Sequence, residues 1–129
     1  MGLIEKRLVK QGQDEWVPLA QTELRELTSG SQVFDVEWDT FTDAVALNNV
    51  QYQGLRRINS ALRLICSDEL GKEAMNEKIT TIRLRNVATI AARAISVKDG
   101  VLLVEAAWSK GSDGYFADIE LKQVIEKLI

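Results

Sequence analysis

Asp99-Gly100, set between two apolar runs, constrains the fold of this chain more than any other feature. Asp-Gly in that setting signals a tight β-hairpin, because a type I′ turn needs positive φ at both central residues. Before it, Ile95 and Val97 alternate with Ser96 and Lys98; after it, Val101-Leu102-Leu103-Val104 is aliphatic throughout. Such a run suits a strand covered on both faces. Upstream, Ile82 and Leu84 alternate with Arg83 and Arg85. That puts two aliphatics on one face of a strand and two guanidiniums on the other. Residues 80–108 are therefore expected to form antiparallel strands against which the remaining chain packs.

The remaining chain reads mostly as helix. In 52–66, Leu55, Ile58, Leu62 and Ile65 recur at three and four residues and make one buried face, with Arg56, Arg57 and Arg63 off it. Ser67 is the expected N-cap of a second helix running to about Lys78, with Asp68 and Glu69 in its first turn, where the dipole favours anions. Pro18 fits the first position of a short helix over 18–29, with Gly30 just past its end. Residues 1–17 fit either a helical stripe or a hairpin across 11–14. Residues 33–39 read as an amphipathic strand with Phe34, Val36 and Trp38 inward and Asp35, Glu37 and Asp39 outward; Asp39 or Thr40 then caps a short helix to about Asn48. A loop over 109–114 leads to a closing helix over 117–128. Strands and helices are segregated rather than alternating, which predicts one α+β domain over 1–129, with a small antiparallel sheet of about three to five strands and helices mainly on one face.

Composition removes several chemistries. The chain has 129 residues, no histidine and one cysteine. Ser-His-Asp and Cys-His catalysis and His-ligated zinc are excluded, and any enzyme here would run on carboxylates, Lys or Tyr. A net charge of −3 argues against non-specific nucleic-acid binding. No apolar stretch reaches the roughly 18 residues of a membrane span. The charged N-terminus and the lone Cys66 fit a cytoplasmic protein. There is no GxGxxG and no phosphate-binding GxxxxGK[ST], so no cofactor is expected.

Charge is segregated along the chain. Residues 32–55 hold acids and no Lys or Arg; residues 79–98 hold Arg83, Arg85, Arg93 and Lys98 and no acid until Asp99. If the two strands are neighbours, Asp35 and Glu37 lie across from Arg83 and Arg85, each pair contributing about 0.2–1 kcal/mol. As separate patches they would steer a charged partner. The candidate binding residues are Asp35, Glu37, Asp39, Asp43, Arg83 and Arg85. Arg56 and Arg63 share a helix face and could hold a carboxylate or phosphate, although a solvated helix face is the favoured reading. Trp38 is expected in the core and Cys66 as a small buried residue, with Trp16 open between core and interface.

Ser109–Glu120, SKGSDGYFADIE, has Asp113, Gly114 and Glu120 at the fifth, sixth and twelfth places of a loop leading into an amphipathic helix. In this it resembles the second half of an EF-hand calcium loop, over about 16 residues of the 129. It is also similar to the Asp-Gly loop of tellurite-resistance TerB-type proteins. The resemblance implies a divalent-cation site using Asp113, Asp118 and Glu120. Ser109, Gly111 and Ala117 stand where the first, third and ninth ligands would be, so the expected affinity is weak, and the plain alternative is a turn followed by a capped helix.

No motif names a reaction. The reading is a non-enzymatic domain that binds another protein or a second copy of itself, accessory, inhibitory or immunity-like in kind. The alternatives are a weak calcium-binding regulatory module and a carboxylate-based enzyme or small-ligand binder.

Overall fold

The computed structural model describes residues 1–129 and places four strands in one sheet: β1 (Val33–Val36), β2 (Thr81–Asn86), β3 (Ala94–Lys98) and β4 (Val101–Ala106). The hairpin forms where expected, with φ of 53° at Asp99 and 79° at Gly100, and joins β3 to β4 antiparallel. The α+β class is found, but the sheet is mixed rather than antiparallel throughout. Its order is β1-β2-β4-β3, and the β1–β2 and β2–β4 pairs are parallel. The reason is connectivity. The link from β1 to β2 carries three helices, the kind of crossover that parallel pairing requires. Residues 87–93 then carry the chain past the place that β4 later fills, so β4 enters between β2 and β3.

Residues 3–28 form one helical rod. It comprises α1 (Leu3–Gln11), a π-helical turn (Gly12–Trp16) and α2 (Val17–Thr28). Residues 3–17 are thus helical, and Pro18 lies inside the rod rather than opening a new helix. A proline ring crowds the carbonyl four residues back, here that of Asp14, and the wider π turn occupies that stretch. The rod ends at Ser29, which itself adopts the left-handed conformation (φ 55°) expected of Gly30. Gly30 leaves room for the Asn76 side chain. A Cβ there would lie 1.9 Å from Asn76 Oδ1.

The middle of the chain repeats the device. α3 (Ala44–Asn49) runs through a second π turn (Val50–Leu55) into α4 (Arg56–Ile65), followed by α5 (Glu69–Lys78). Leu55, Ile58, Leu62 and Ile65 are all buried, as their spacing predicts. The caps differ by a few residues from the sequence reading. Asp43 caps α3 through the Ala46 N–H, and Asp68 caps α5 through the Gly71 N–H, each at 2.8 Å. α6 (Asp118–Leu128) closes the chain against α4 and β3, with Leu121 and Ile125 inside. No helix is long and apolar enough to cross a membrane.

The helical layer covers one face of the sheet, with α2 against β1 and α6 against β3. Phe34, Val36, Ile82, Leu84, Leu102 and Val104 point into that layer and are buried. Trp108 stacks on Phe41 at 5.6 Å between ring centres, and Trp38 reaches the same cluster half-buried. A buried polar knot ties the end of α2 to β1 and α5. The Thr28 hydroxyl donates to Gln32 Oε1 (2.7 Å), Gln32 Nε2 donates to Asn76 Oδ1 (2.8 Å), and Asn76 Nδ2 donates to the Thr28 carbonyl (2.8 Å). Gln32→Leu preserves volume but strands the partners of its amide. It is expected to cost about 1–3 kcal/mol in urea unfolding with an unchanged m value. A loss within about 0.5 kcal/mol, the range of an ordinary surface substitution, would show the knot to be dispensable.

Candidate functional site: the uncovered face of the sheet

In a β-strand successive side chains point to opposite faces, so burying Ile82 and Leu84 sends Arg83 and Arg85 outward. The same alternation turns Asp35 outward from β1, and Val101, Leu103 and Glu105 outward from β4. No helix covers this side. The run Val101–Val104 is therefore not covered on both faces, as its apolarity suggested. Leu102 and Val104 are buried, while Val101 and Leu103 are only half-buried, on the open face.

Register decides who meets whom. Asp35 is the β1 partner of Arg83, and Glu105 is the β4 partner of Arg85. Arg83 Nε donates to Asp35 Oδ2 at 2.7 Å and lies 3.8 Å from Glu37 Oε1. Arg85 grips Glu37 with two bonds, Nε to Oε2 at 2.8 Å and Nη2 to Oε1 at 3.0 Å, and reaches Glu105 Oε2 with Nη1 at 3.4 Å. The result is a line of alternating charge, Asp35, Arg83, Glu37, Arg85, Glu105, laid across three strands. Lys98 on β3 stands apart and exposed, in no ion pair. Arg83, Ser96, Lys98, Asp99, Val101 and Leu103 line a shallow hollow of about 320 Å³ beside the hairpin turn.

Four of the six candidate binding residues thus come together. Asp39 and Asp43 do not, because the strand ends at Val36 and the expected alternation stops there. Asp39 lies in a short 3₁₀ turn beside Trp38, near Lys6 and Val9 of α1. Asp43 is occupied as the α3 cap. Glu105, Lys98, Val101 and Leu103 belong to the face and were missed. Their signal was the period-two pattern of Val101, Leu103 and Glu105 against Leu102, Val104 and Ala106.

Asp113, Asp118 and Glu120 are not gathered. Asp113 sits in a 3₁₀ turn, Asp118 Oδ1 accepts the Ile119 N–H (3.0 Å), and Glu120 Oε1 accepts the Ala117 N–H (3.2 Å). The segment before this loop is the strand β4 rather than a helix. No group of three Asp, Glu, Cys or His side chains that could hold a metal ion forms anywhere in the chain.

Arg85's hydrogen bonds hold the Glu37 carboxyl below its ordinary range, with the charges of Arg85 and Arg83 adding and partial burial opposing. Arg85 is held more firmly protonated by the same bonds. On Cys66, just past the end of α4, burial pushes the thiol up, away from the reactive thiolate. Comparison of the chain with protein families, with curated proteins and with solved structures finds no match.

The folded-state pKa of Glu37 lies below the unfolded value near about 4.3, so its stabilisation is full above that pH and is lost as pH falls through the depressed value. Glu37→Gln should therefore flatten the acid limb of a stability–pH curve below about pH 5. Wild-type and variant curves that stay parallel there would show that Glu37 carries none of the acid sensitivity.

Proposed function

We propose that the protein is a non-enzymatic protein-binding module, accessory or inhibitory in kind, and that its binding surface is the uncovered face of the sheet. The observation that carries this reading is the pairing of two things on one face: a fixed line of opposite charges and a strip of partly exposed aliphatics, Val101 and Leu103, beside the unpaired Lys98. Interface centres combine apolar contact with oriented polar groups. Side chains already held by neighbours lose less freedom on association. The charges fit recognition better than proton transfer. General acid–base work needs a group that titrates near the working pH, and Glu37 is displaced away from that range by bonds to arginine. The chemistry that complements the hollow is a protein surface offering a carboxylate to Lys98 and aliphatic side chains to Val101 and Leu103. A cytoplasmic setting belongs to the same reading, supported by the buried free thiol of Cys66.

A photo-crosslinking residue at Ser96, on the open face, should give a defined adduct in extract of the native host, and Lys98→Glu should abolish it. The same residue at Leu70, 77% exposed on α5, should give none. An adduct to a second copy of the chain would make the partner itself. No adduct from Ser96, or identical adducts from both positions, would overturn the assignment of this face.

A further inference from the structure

In the order β1-β2-β4-β3 the sheet ends on β1 and β3. The outer edge of β1 is met by Gln21 of α2, whose side-chain amide accepts from the Phe34 N–H at 2.8 Å and donates to the Gln32 carbonyl. Nothing does the same for β3. Which of its backbone groups face outward follows from its neighbour. The carbonyls of Gly100 and Ala106 turn towards β2, accepting from the N–H groups of Thr81 and Val87. Alternation then turns Val101, Leu103 and Glu105 towards β3, bonded to Lys98, Ser96 and Ala94. The N–H and C=O groups of Ile95 and Val97 therefore point out of the sheet, and no loop bonds to them.

Such an edge is a template for another strand unless it is blunted, commonly by proline, a bulge or an inward-pointing charge. β3 has no proline, and its register with β4 runs unbroken from Ala94 to Lys98. Its one charge, Lys98, belongs to the open face. Within the strand, two antiparallel copies of β3 fill all four outward groups in one register: Ile95 of each opposite Val97 of the other, with Ser96 meeting Ser96 on the two-fold axis. Directly opposite residues share a face, so Lys98 of one copy then lies opposite Ala94 of the other. The β4 neighbour of Ala94 is Glu105. Lys98 is thus two strand spacings, about 10 Å, from Glu105 of the other copy, within the joint reach of the two side chains and across an alanine too small to separate them. The line Asp35, Arg83, Glu37, Arg85, Glu105 ends on an acid. Lys98 is the cation of this face left without a partner, and across the axis it continues that line.

We propose that the protein forms a homodimer by antiparallel pairing of β3 with β3, making one sheet of eight strands, four from each copy. Backbone hydrogen bonds join Ile95 and Val97 across the axis. Lys98 of each copy pairs with Glu105 of the other, so the alternating charge runs through the interface. On the helical side Ile95 and Val97, half-buried in the single chain, pack on each other as cross-strand aliphatics. The dimer rests on the reading of the open face as a binding surface and supplies, from a second copy, the carboxylate for Lys98. It leaves Val101 and Leu103 uncovered, because both copies turn their open faces to the same side.

Light scattering on the full chain at about 0.5 mM, enough to populate any dimer with a micromolar Kd, should give twice the 14.4 kDa of one copy. Lys98→Glu sets like charges against each other on both sides of the axis and should raise the dimer Kd about tenfold. Val97→Pro removes an outward N–H without touching the ladder to β4 and should give a monomer with unchanged circular dichroism. Should that variant fail to fold, Ser96→Cys decides. Non-bonded antiparallel partners have Cα atoms about 4.5 Å apart, close enough for a disulfide, so mild oxidation should join two chains. Leu70→Cys, on α5, should stay single. A wild-type monomer, a dimer indifferent to Lys98→Glu, or equal disulfide yields from Ser96→Cys and Leu70→Cys would each overturn the dimer. A monomer that still gives the Ser96 adduct with a foreign protein would overturn the dimer alone and keep the binding face.

Discussion

One-sided burial of the sheet is the constraint on which the rest of this structure depends. Ile82, Leu84, Leu102 and Val104 are sealed against the helices, and the alternation of a strand then turns every intervening residue outward. The magnitudes say which face holds the fold. A fully buried aliphatic side chain is worth about 1.5–3 kcal/mol, whereas a partly exposed ion pair is worth roughly 0.2–1 kcal/mol. The helix-covered face therefore stabilises the domain. The charged face adds little to stability, so the role proposed for it would not endanger the fold.

Periodicity made much of this legible. The helical spacing of Leu55, Ile58, Leu62 and Ile65 named a buried stripe correctly, and Asp99-Gly100 marked the hairpin, because both signals are local. Strand order was not legible, since alternation identifies a strand without identifying its neighbour. That the sheet is mixed follows from the crossovers, and those are read only once the helices between β1 and β2 are placed. The rod over 3–28 was misread at Pro18 for a similar reason. Proline is usually a boundary, and the π turn that accommodates it here leaves no pattern in sequence. The caps moved to Asp43 and Asp68 because several adjacent residues could serve, and backbone geometry chooses among them.

The candidate site was legible in part. Asp35, Glu37, Arg83 and Arg85 were found because complementary charge on two alternating strands survives parallel or antiparallel pairing alike. Glu105 was hidden by the apolar run before it, which suggested a strand covered on both sides. The sheet face is flat, with its acids and both arginines already paired.

The most direct test of the one-sided sheet is solvent paramagnetic relaxation of methyl groups in the free protein, using a neutral soluble gadolinium chelate. The account predicts strong relaxation at Val101 and Leu103 and little at Leu102 and Val104. Equal protection of all four would mean that the outer face is covered in solution, and would contradict a sheet with one open face.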